Sequence, residues 1–517
     1  MNLGTYVSRS AQYWPDAEAV IYKDLRLSYA ELEDRTNRLA KGLLSLGLAQ
    51  GDRVGVYSWN RNEVLEMEVA CYKAGLAKVP INARLSRDEA VHIVNDSGSS
   101  IVIADAQHIE SLLGARKEMS TLQHIIGIKT DSDGTINYDE LIAQQDGELI
   151  AVDVAADEIS VLHYTSGTSG KLKAAIQTHG NRLAMIRKAL MIPQCSTQVG
   201  DKFALLGPIT HATGMNIMPN LFTGCCNLIM DRFDPEEFLK AVEAEKITHT
   251  FMVPTMINML LNHPDCAKFD TSSIKAIIYG AAPMSPARVE QAIGVFGPVL
   301  VQGYGAGETT SIVTTLTSQD HVEALQNNKE RLASCGRPRF DTELRIVNEK
   351  GEQVRIGEIG EIIVRGPDIM KGYWQAPELT KEVLKDGWYF TGDLAKMDDE
   401  GYIYIVDRKK EMIISGGFNV YPTEIESILF NHPAVFEACV IGIPDEKWGE
   451  AIKAVVVLKE GAQASEEDLI SHCAEYLAGF KKPQTIEFVD NLPKNPNGKI
   501  VRRVIRDQFW KGSERKV

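Results

Sequence analysis

The chain has 517 residues, a length that predicts more than one domain and leaves ample apolar material for large cores. Its hydrophobic content of 44% and charged content of 24% are ordinary for a globular protein in water. The formal net charge of −15 argues against nucleic acid as the main partner, so an anionic ligand must be bound by local lysines and arginines.

The cysteines and the amino terminus bear on the cellular compartment. The eight cysteines are scattered, and the adjacent Cys225 and Cys226 fit neither a zinc site nor a disulfide framework. Residues 1–5 lack the basic and apolar pattern of a signal peptide, and no apolar run is long enough to span a bilayer. We therefore expect a cytoplasmic protein with reduced thiols and no transmembrane segment.

Predicted helices and strands alternate in the amino-terminal region. Ser28 and Ser86 each begin a capping box ahead of a helix, and the apolar runs 54–57 and 101–104 are typical of buried strands. Such alternation predicts βαβ units with parallel sheets, which places the protein in the α/β class. We interpret this region as scaffold.

The segment 164–173 has the sequence Tyr-Thr-Ser-Gly-Thr-Ser-Gly-Lys-Leu-Lys and follows a predicted buried strand, and Asn181 is positioned to cap the next helix. Glycines let backbone N–H groups approach an anion, hydroxyls donate hydrogen bonds, and lysines supply charge. The composition suits a loop that binds a triphosphate, although most such clusters are plain polar turns. The P-loop pattern fails, because Thr165 and Leu172 occupy the positions of its first glycine and its Mg-binding hydroxyl.

Small or polar residues directly follow two later predicted strands. Strand 274–279 leads into the small residues 280–282, which form either a surface for a flat ring or a plain strand-to-helix turn. Strand 299–302 leads into a glycine-rich loop in which Tyr304 can stack on a base and Glu308 can bind Mg²⁺. Loops at the carboxyl ends of such strands predict a ligand crevice.

Two single residues are ambiguous on their own. His211 lies in a turn ahead of an apolar run, where a histidine is more often a core or cap residue than a functional one. Lys499 follows a Pro/Asn/Gly-rich turn near the carboxyl terminus, where a lysine is ordinarily inert. Only their context can give either residue a function.

The later part of the chain is rich in predicted strands. Runs 344–347 and 360–366 are typical of antiparallel strands, and 386–393 is a hairpin-like turn that presents Asp393. The charged segment 407–411 lies between two apolar strands, so we place the domain boundary there. The strands and helices beyond it predict a small α+β domain.

Six of these motifs occur in the order typical of the adenylate-forming superfamily, which includes acyl-CoA synthetases, luciferases and peptide-synthetase adenylation domains. They are the loop 164–173, Gly280-Ala281-Ala282-Pro283, Gln302-Gly303-Tyr304-Gly305 with Glu308, Thr391-Gly392-Asp393, Asp407-Arg408, and Pro493 through Gly498-Lys499. The resemblance spans essentially the whole chain and is closest in pattern to free-standing fatty- or aryl-acid CoA ligases.

The resemblance implies a two-domain architecture. Residues 1–407 are expected to form a large N-terminal domain of parallel and mixed sheets flanked by helices, with a β-rich subdomain. Residues 408–517 are expected to form a small mobile α+β domain that acts as a lid and rotates about a hinge near Lys410.

The implied activity is a two-step ligation. A carboxylate attacks the α-phosphate of ATP to give an acyl adenylate and pyrophosphate, and coenzyme A then displaces AMP. ATP, Mg²⁺ and coenzyme A are therefore the expected cofactors and co-substrates. Adenylation gives a poor electrophile a good leaving group, and cations and loop donors must meet the negative charge of the phosphoryl transition state.

Site residues follow from the match to the family's motifs. The nucleotide is expected to be bound by Thr165, Ser166, Gly167, Thr168, Gly280, Ala281, Ala282, Gln302, Gly303, Tyr304, Asp393 and Arg408. The expected catalytic residues are Lys173, His211, Glu308, which also coordinates Mg²⁺, and Lys499, which bridges the carboxylate and the α-phosphate. The acyl pocket is expected to be lined by His211, Met215, Tyr279, Gly280 and Ala306, and the CoA tunnel by Ser415, Gly416 and Gly417.

Three residues depart from the family's usual pattern. Many members have glycine at the position of Ala174, an aromatic residue at that of Thr210 and threonine at that of Gly307. Thr210 is expected to reshape the acyl pocket. Gly307 lacks a hydroxyl that typically helps to hold the α-phosphate, a function for which Thr309 or Thr310 is a candidate substitute.

The substrate is a carboxylic acid of undetermined class. The candidate wall residues of the acyl pocket are apolar or small and offer no fixed charge for an amino group. We expect a medium- or long-chain fatty acid, with an aryl or arylalkanoic acid as the alternative. A luciferase-like oxygenase and a catalytically degenerate adenylate-binding protein are further alternatives, and a homodimer is kept as a hypothesis.

Overall fold

The computed structural model of the protein describes residues 2–166, 172–310, 312–495 and 499–510, with Ser166 described by its backbone alone. The strands of these residues are β1 Glu18–Tyr22, β2 Leu25–Ser28, β3 Arg53–Ser58, β4 Ala77–Asn82, β5 Ile101–Asp105, β6 His124–Ile128, β7 Ile136–Asn137, β8 Ile159–Ser166, β9 Leu172–Thr178, β10 Lys202–Leu205, β11 Cys226–Ile229, β12 His249–Met252, β13 Ala276–Gly280, β14 Leu300–Gly305, β15 Ile312–Leu316, β16 Arg337–Pro338, β17 Glu343–Val347, β18 Gly360–Arg365, β19 Leu384–Lys385, β20 Trp388–Met397, β21 Ile403–Arg408, β22 Ile413–Ser415, β23 Phe418–Val420, β24 Val435–Asp445, β25 Gly449–Leu458 and β26 Thr485–Phe488. The α-helices are α1 Gly4–Tyr13, α2 Tyr29–Ser45, α3 Asn62–Ala74, α4 Arg87–Ser97, α5 Ala106–Gly114, α6 Tyr138–Ala143, α7 His179–Leu190, α8 Ile217–Phe222, α9 Pro235–Glu245, α10 Pro254–Leu261, α11 Pro286–Phe296, α12 Ser318–Asn327, α13 Pro377–Val383, α14 Pro422–Asn431, α15 Glu466–Tyr476 and α16 Arg502–Arg506.

The strands of the described residues form four sheets. A nine-stranded sheet has the order β16-β15-β14-β13-β12-β10-β11-β1-β2, and a seven-stranded sheet has the order β7-β6-β5-β3-β4-β8-β9. A five-stranded sheet contains β17 to β21, and another five-stranded sheet contains β22 to β26. The predicted α/β class, with mixed sheets, a β-rich part and a C-terminal α+β part, is confirmed.

Parallel pairing sets the position of the candidate site. Strands β12, β13 and β14 pair in parallel, so their carboxyl ends lie at one edge of the nine-stranded sheet. Strands β8 and β9 form an antiparallel hairpin at the edge of the seven-stranded sheet. The segments that carry the sequence motifs therefore begin at sheet edges, as ligand loops do in open α/β sheets.

Local side-chain bonds fix the starts of several helices. Ser28 Oγ accepts from the Glu31 N–H at 3.2 Å while Glu31 accepts from the Ser28 N–H, which confirms the first predicted capping box. The second predicted box, at Ser86, is also present. Helix α7 differs from the prediction, because Thr178 is its N-cap and Asn181 is the third residue of the box.

Apolar side chains from the two large sheets and the helices between them form one continuous core, which includes Leu65, Ile103 and Phe203. The C-terminal sheet has a separate core around Val440 and Val456. Separate cores are typical of parts of a chain that can move relative to each other.

A buried ion pair fixes the segment after β18. Lys188 Nζ, in α7, donates to both carboxylate oxygens of Asp368 at 2.7 Å, and both side chains are buried. Breaking such a pair would leave an uncompensated buried charge. The same segment reaches the candidate site, since the Met370 N–H donates to the Glu308 carbonyl at 2.8 Å.

The C-terminal part contacts the preceding strand through Arg502. Its guanidinium donates to Glu426 at 2.7 Å and to Glu411, and it lies 3.8 Å from Asp407. Burial raises the pKa of Asp407 to about 6, and Arg502 opposes that rise. The division between residues 407 and 408, and the rotation near Lys410, stay predictions.

Two further features concern the compartment. All eight cysteines are free thiols. None of the helices in the described ranges combines the length and the apolar character needed to cross a membrane.

Candidate active site

The described parts of the predicted phosphate loop, residues 164–166 and 172–173, belong to the hairpin strands β8 and β9. Thr165 and Lys173 pair directly across this hairpin. The backbone of Ser166 ends β8, whereas the predicted Gly167 and Thr168 lie outside the described residues. The hairpin therefore brings together one hydroxyl and one ammonium of the predicted nucleotide site.

A hydrogen-bonded chain joins Lys173 to Glu308 through Tyr373. Lys173 Nζ donates to Tyr373 Oη at 2.6 Å, and that hydroxyl donates to Glu308 Oε1 at 2.9 Å. Thr165 Oγ1 donates to the same carboxylate oxygen at 3.4 Å. Burial lowers the pKa of Lys173, and Glu308 offsets part of that change. The Tyr373 hydroxyl therefore lies between the Lys173 ammonium and the Glu308 carboxylate and keeps them apart.

Tyr373 was missed by the sequence reasoning. Its Gly-Tyr-Trp surroundings have no spacing that points to a site, and a tyrosine in a loop is ordinarily unremarked. Only the fold brings the segment after β18 against Lys173, whose ammonium lies 3.9 Å from the centre of the Tyr373 ring.

Glu308 has the surroundings that a Mg²⁺ ligand needs. It lies in the short 3-10 helix Gly307–Thr309 and is 8% exposed. The side-chain hydrogen bonds that it accepts from described residues involve Oε1, so within those residues Oε2 is available to a cation. Within the described ranges, no three acidic, histidine or cysteine side chains form a metal cluster. One carboxylate completed by phosphate oxygens and water is the arrangement that Mg²⁺ commonly adopts with nucleotides.

Asp393 and Arg408, two of the predicted nucleotide-binding residues, form an ion pair. Asp393 and Arg408 are partners across β20 and β21, and Arg408 Nε donates to Asp393 Oδ1 at 2.5 Å. Tyr304 Oη donates to the other oxygen, Oδ2, at 2.5 Å. Burial raises the pKa of Asp393, while Arg408, Tyr304 and Lys499 oppose that rise. Three of the predicted nucleotide-binding residues thus form one network.

Lys499 lies beside this network. Its backbone is fixed by a hydrogen bond from the Lys499 N–H to Asn495 Oδ1 at 2.9 Å. Residue 499 is exposed to solvent, yet desolvation, followed by the charge of Arg408, lowers the pKa of its ammonium. Glu411 and Asp393 oppose that change. The C-terminal part therefore presents an ammonium to the Asp393–Arg408 pair.

The exits of β13 and β14 leave little room for side chains. A Cβ on Gly280 would lie 2.1 Å from the Gly303 carbonyl oxygen, so this close strand approach requires glycine. Ala281 has φ of 65°, a left-handed conformation that strains a residue with a side chain. Ala282 follows this position and Gln302 is paired with Tyr279 across β13 and β14; both stay predicted nucleotide-binding residues.

A close contact explains the departure at Gly307. A Cβ at residue 307 would lie 2.6 Å from His163 Cδ2 and 2.9 Å from Thr165 Cγ2. The imidazole of His163 therefore occupies the space that a side chain at 307 would need. Thr309 Oγ1, a candidate substitute for the missing hydroxyl, is hydrogen-bonded to the Ala306 N–H at 2.9 Å.

His211 lies against His163, with the two rings edge to face and their centroids 5.4 Å apart. Burial lowers the pKa of His211 to about 3 and that of His163 to about 4. Both rings are therefore neutral at neutral pH. They line a small, partly open cavity, here named the His211 pocket, which is bounded by His163, Gln177, Arg182, His211 and Met215.

Several predicted residues lie away from this pocket. The Tyr279 side chain is fully buried in another core, where its hydroxyl is hydrogen-bonded to His321 Nε2 at 2.9 Å. Residues 415–417 of the predicted CoA tunnel lie at the turn between β22 and β23, where Gly416 and Gly417 are exposed and the Gly416 N–H donates to the Trp448 carbonyl at 2.8 Å. These assignments stay predictions, as do Gly280 and Ala306 in the acyl pocket.

The sequence of the chain matches a known family of proteins. The chain matches the family model of the AMP-binding enzyme over residues 7–374 and that of the AMP-binding enzyme C-terminal domain over residues 424–499. It is 37% identical over 508 residues to the medium/long-chain-fatty-acid–CoA ligase FadD8 of Mycobacterium tuberculosis. The aligned region covers 96% of this chain and 88% of that relative. It is 38% identical over 516 residues to a feruloyl-CoA synthase of an Amycolatopsis species, which covers 98% of this chain and 99% of that relative.

A solved structure agrees with this match. The anthranilate CoA ligase AuaEII, in complex with anthranoyl-AMP, has a TM-score of 0.91 at 26% identity and covers 98% of this chain and 97% of its own. The chain therefore belongs to the AMP-binding enzyme family. The prediction of an AMP-forming acid–thiol ligase from the ordered motifs is confirmed.

Proposed function

We propose that the protein joins a carboxylic acid to coenzyme A in two steps, through an acyl adenylate. The observation that supports this most strongly is the position of Lys499, whose ammonium is near enough to the Asp393–Arg408 pair for these charges to act on its pKa. A binding protein has no need of an ammonium delivered from the C-terminal part. An adenylating enzyme needs one where charge develops on the α-phosphate.

In this proposal each polar group has one task. Thr165 and Lys173 bind the distal phosphates, and Asp393 and Arg408 bind the ribose hydroxyls. Glu308 holds Mg²⁺, which supplies charge neutralisation to the triphosphate when bound. Tyr373 keeps Lys173 and Glu308 from collapsing onto each other, since its hydroxyl bonds to both.

The class of acid is the finer part of the proposal. The sequence favours a medium- or long-chain fatty acid, with an aryl or arylalkanoic acid as the alternative. Relatives with both kinds of name resemble the chain to a similar degree. The predicted residues His211 and Met215 line the His211 pocket, which is the cavity that supports an acyl site.

The cellular setting is also proposed. A cytoplasmic location is supported by eight free cysteines, which suit a reducing compartment. We keep the homodimer as a hypothesis that light scattering of the purified protein would test.

Pyrophosphate release tests the two-step reaction. The assay contains ATP, Mg²⁺ and a panel of fatty, aryl and short acids, with and without CoA. We expect at least one acid to release pyrophosphate, CoA to accelerate that release, and AMP and an acyl-CoA to form in equal amounts. A rate of pyrophosphate release that does not depend on CoA would indicate that another molecule accepts the acyl group. ATP binding without turnover of any acid would indicate a degenerate binding protein.

A second test addresses the nucleotide site. Tyr304→Phe removes the hydroxyl that donates to Asp393 at 2.5 Å. Because a hydrogen bond to a charged group is lost, we expect KM for ATP to rise roughly tenfold with little change in kcat. Tyr402→Phe, which removes a similar 2.7 Å bond to Asp320, is the matched control. Equal KM values for both variants would separate Tyr304 from nucleotide binding.

A further inference from the structure

The His211 pocket has two unlike walls. One wall is apolar and includes Val161, Ile209 and Met215. The other is polar and consists of Gln177 together with the buried side chains of Lys78, Glu68 and Arg182. A simple alkyl chain would contact the apolar wall well but would desolvate the polar wall without replacing its hydrogen bonds.

The polar wall carries more positive than negative charge. Lys78 Nζ lies 2.5 Å from Glu68 Oε2, and Arg182 Nη2 lies 2.9 Å from Glu68 Oε1. In the part of the chain that the structure describes, Glu68 is the only carboxylate in ion-pair contact with either cation. Two buried cations thus share one anion, and such an excess favours a ligand atom that accepts hydrogen bonds.

The neighbouring groups do not remove this excess. Arg182 Nε donates to the neutral hydroxyl of Tyr72 at 3.0 Å. Burial and the two cations lower the pKa of His163 to about 4, so its ring is neutral at neutral pH. Both cations keep N–H groups beyond the bonds described here, since a lysine has three and an arginine five.

Gln177 has a side-chain oxygen that needs a hydrogen-bond donor from the ligand. Its side chain is 0% exposed, and Nε2 donates to the Gly307 carbonyl at 3.0 Å. This bond fixes the orientation of the amide. Oε1 is then a buried oxygen for which the described residues supply no donor. Buried polar atoms are almost always hydrogen-bonded, to protein or to ordered water, so a ligand that displaces water from the pocket should donate to Oε1 in its place.

A hydroxyl group meets both demands at once, because it donates one hydrogen bond and accepts others. We propose that the acid activated here carries a hydroxyl group at the end remote from its carboxylate, and that this hydroxyl binds at Gln177 in the His211 pocket. The hydroxyl donates to Gln177 Oε1 and accepts a hydrogen bond from the Lys78 ammonium or the Arg182 guanidinium. This inference rests on the proposed function and names its substrate class.

Matched acids test the inference. We would compare 3-(4-hydroxyphenyl)propanoate with 3-phenylpropanoate, and 8-hydroxyoctanoate with octanoate, by pyrophosphate release with ATP and Mg²⁺. We expect the hydroxylated member of at least one pair to have a kcat/KM at least roughly tenfold higher, because a site built for a hydroxyl rejects the analogue without it. The two pairs distinguish a phenol from an aliphatic alcohol.

Two variants of one residue give the second readout. Gln177→Met keeps the length of the side chain but removes the oxygen. The ratio of kcat/KM for the hydroxylated acid to that for its partner should therefore fall to about 1. Gln177→Glu keeps an acceptor oxygen and should retain the preference. Both variants lose the bond to Gly307, so any general loss of activity affects both acids of a pair and leaves their ratio unchanged.

The failures are distinguishable. Pyrophosphate release with equal kcat/KM inside both pairs, or a preference that survives in a folded Gln177→Met, overturns the hydroxyl inference and leaves the ligase proposal standing. No release with any acid of the pairs or of the larger panel overturns the ligase proposal, and the inference with it. If Gln177→Met fails to fold, as judged by thermal unfolding, the wild-type ratios decide the question.

Discussion

Lys499→Ala is expected to reduce the rate of pyrophosphate release by about 10²–10³-fold. The variant lacks the ammonium that stabilises the negative charge developing on the α-phosphate in the transition state. Lys499 is the ammonium that the C-terminal part places beside Asp393 and Arg408. Initial rates with ATP, Mg²⁺ and the best acid of the panel measure the loss. Lys494→Ala, five residues upstream on the sequence, is the matched control, since that lysine pairs with Glu437 at 2.6 Å and should leave the rate unchanged.

The second half-reaction shows whether the loss is specific. Given synthetic acyl adenylate and CoA, Lys499→Ala should form acyl-CoA within about threefold of the wild-type rate, since no charge on the α-phosphate has to be created in that step. Equal losses in both half-reactions would indicate a structural role instead and would contradict the assignment.

A pH profile gives an independent check on Lys499. Desolvation and Arg408 lower the pKa of its ammonium. The charged form, which supports adenylation, is present below that pKa and is lost as pH rises through it. The wild-type adenylation rate should therefore fall at a pH below the ordinary lysine pKa of about 10.4. The Lys499→Ala variant should lack this alkaline decline.

Features that depend on neighbouring residues in sequence could be predicted well. The capping boxes at Ser28 and Ser86 and the motif order depend on local patterns. The predicted end of strand β14 at Gln302 was wrong, because β14 continues through Gly303 and Tyr304 to Gly305, where pairing with β15 keeps these residues extended. The start of α7 was wrong, because Thr178 and Asn181 are both good caps and each bonds to the backbone of the other. A local pattern gives no means of choosing between two such residues.

Features that depend on the packing of distant segments could not be predicted. Tyr373 reaches Lys173 from 200 positions away, and no spacing in the sequence signals that contact. The sequence interpretation of the acyl pocket considered residues next to the motifs and found no fixed charge. Lys78 in β4 and Arg182 in α7 bring charge to the His211 pocket through the tertiary fold alone.

Gly307→Thr restores the residue that many family members carry, yet it is expected to lower kcat/KM for pyrophosphate release by about 10²-fold. The new Cβ would lie 2.6 Å from His163 Cδ2 and 2.9 Å from Thr165 Cγ2, closer than real Cβ contacts come. His163 is buried against His211 and has little room to move. The backbone at residue 307 must then shift and take Glu308 with it, and a displacement of about 1 Å in such a site can cost 10²-fold.

The double variant His163→Ala, Gly307→Thr separates this steric cause from the others. Removing the imidazole clears the space for the threonine, so the double variant should recover most of the activity that the single Gly307→Thr loses. Gly294→Thr is the matched control for the added side chain, because nothing lies within 4 Å of a Cβ there. A fully active Gly307→Thr would show that residues 163 and 307 are not coupled. Recovery in the double variant would show instead that His163 determines which residue this enzyme tolerates before Glu308, the proposed Mg²⁺ ligand.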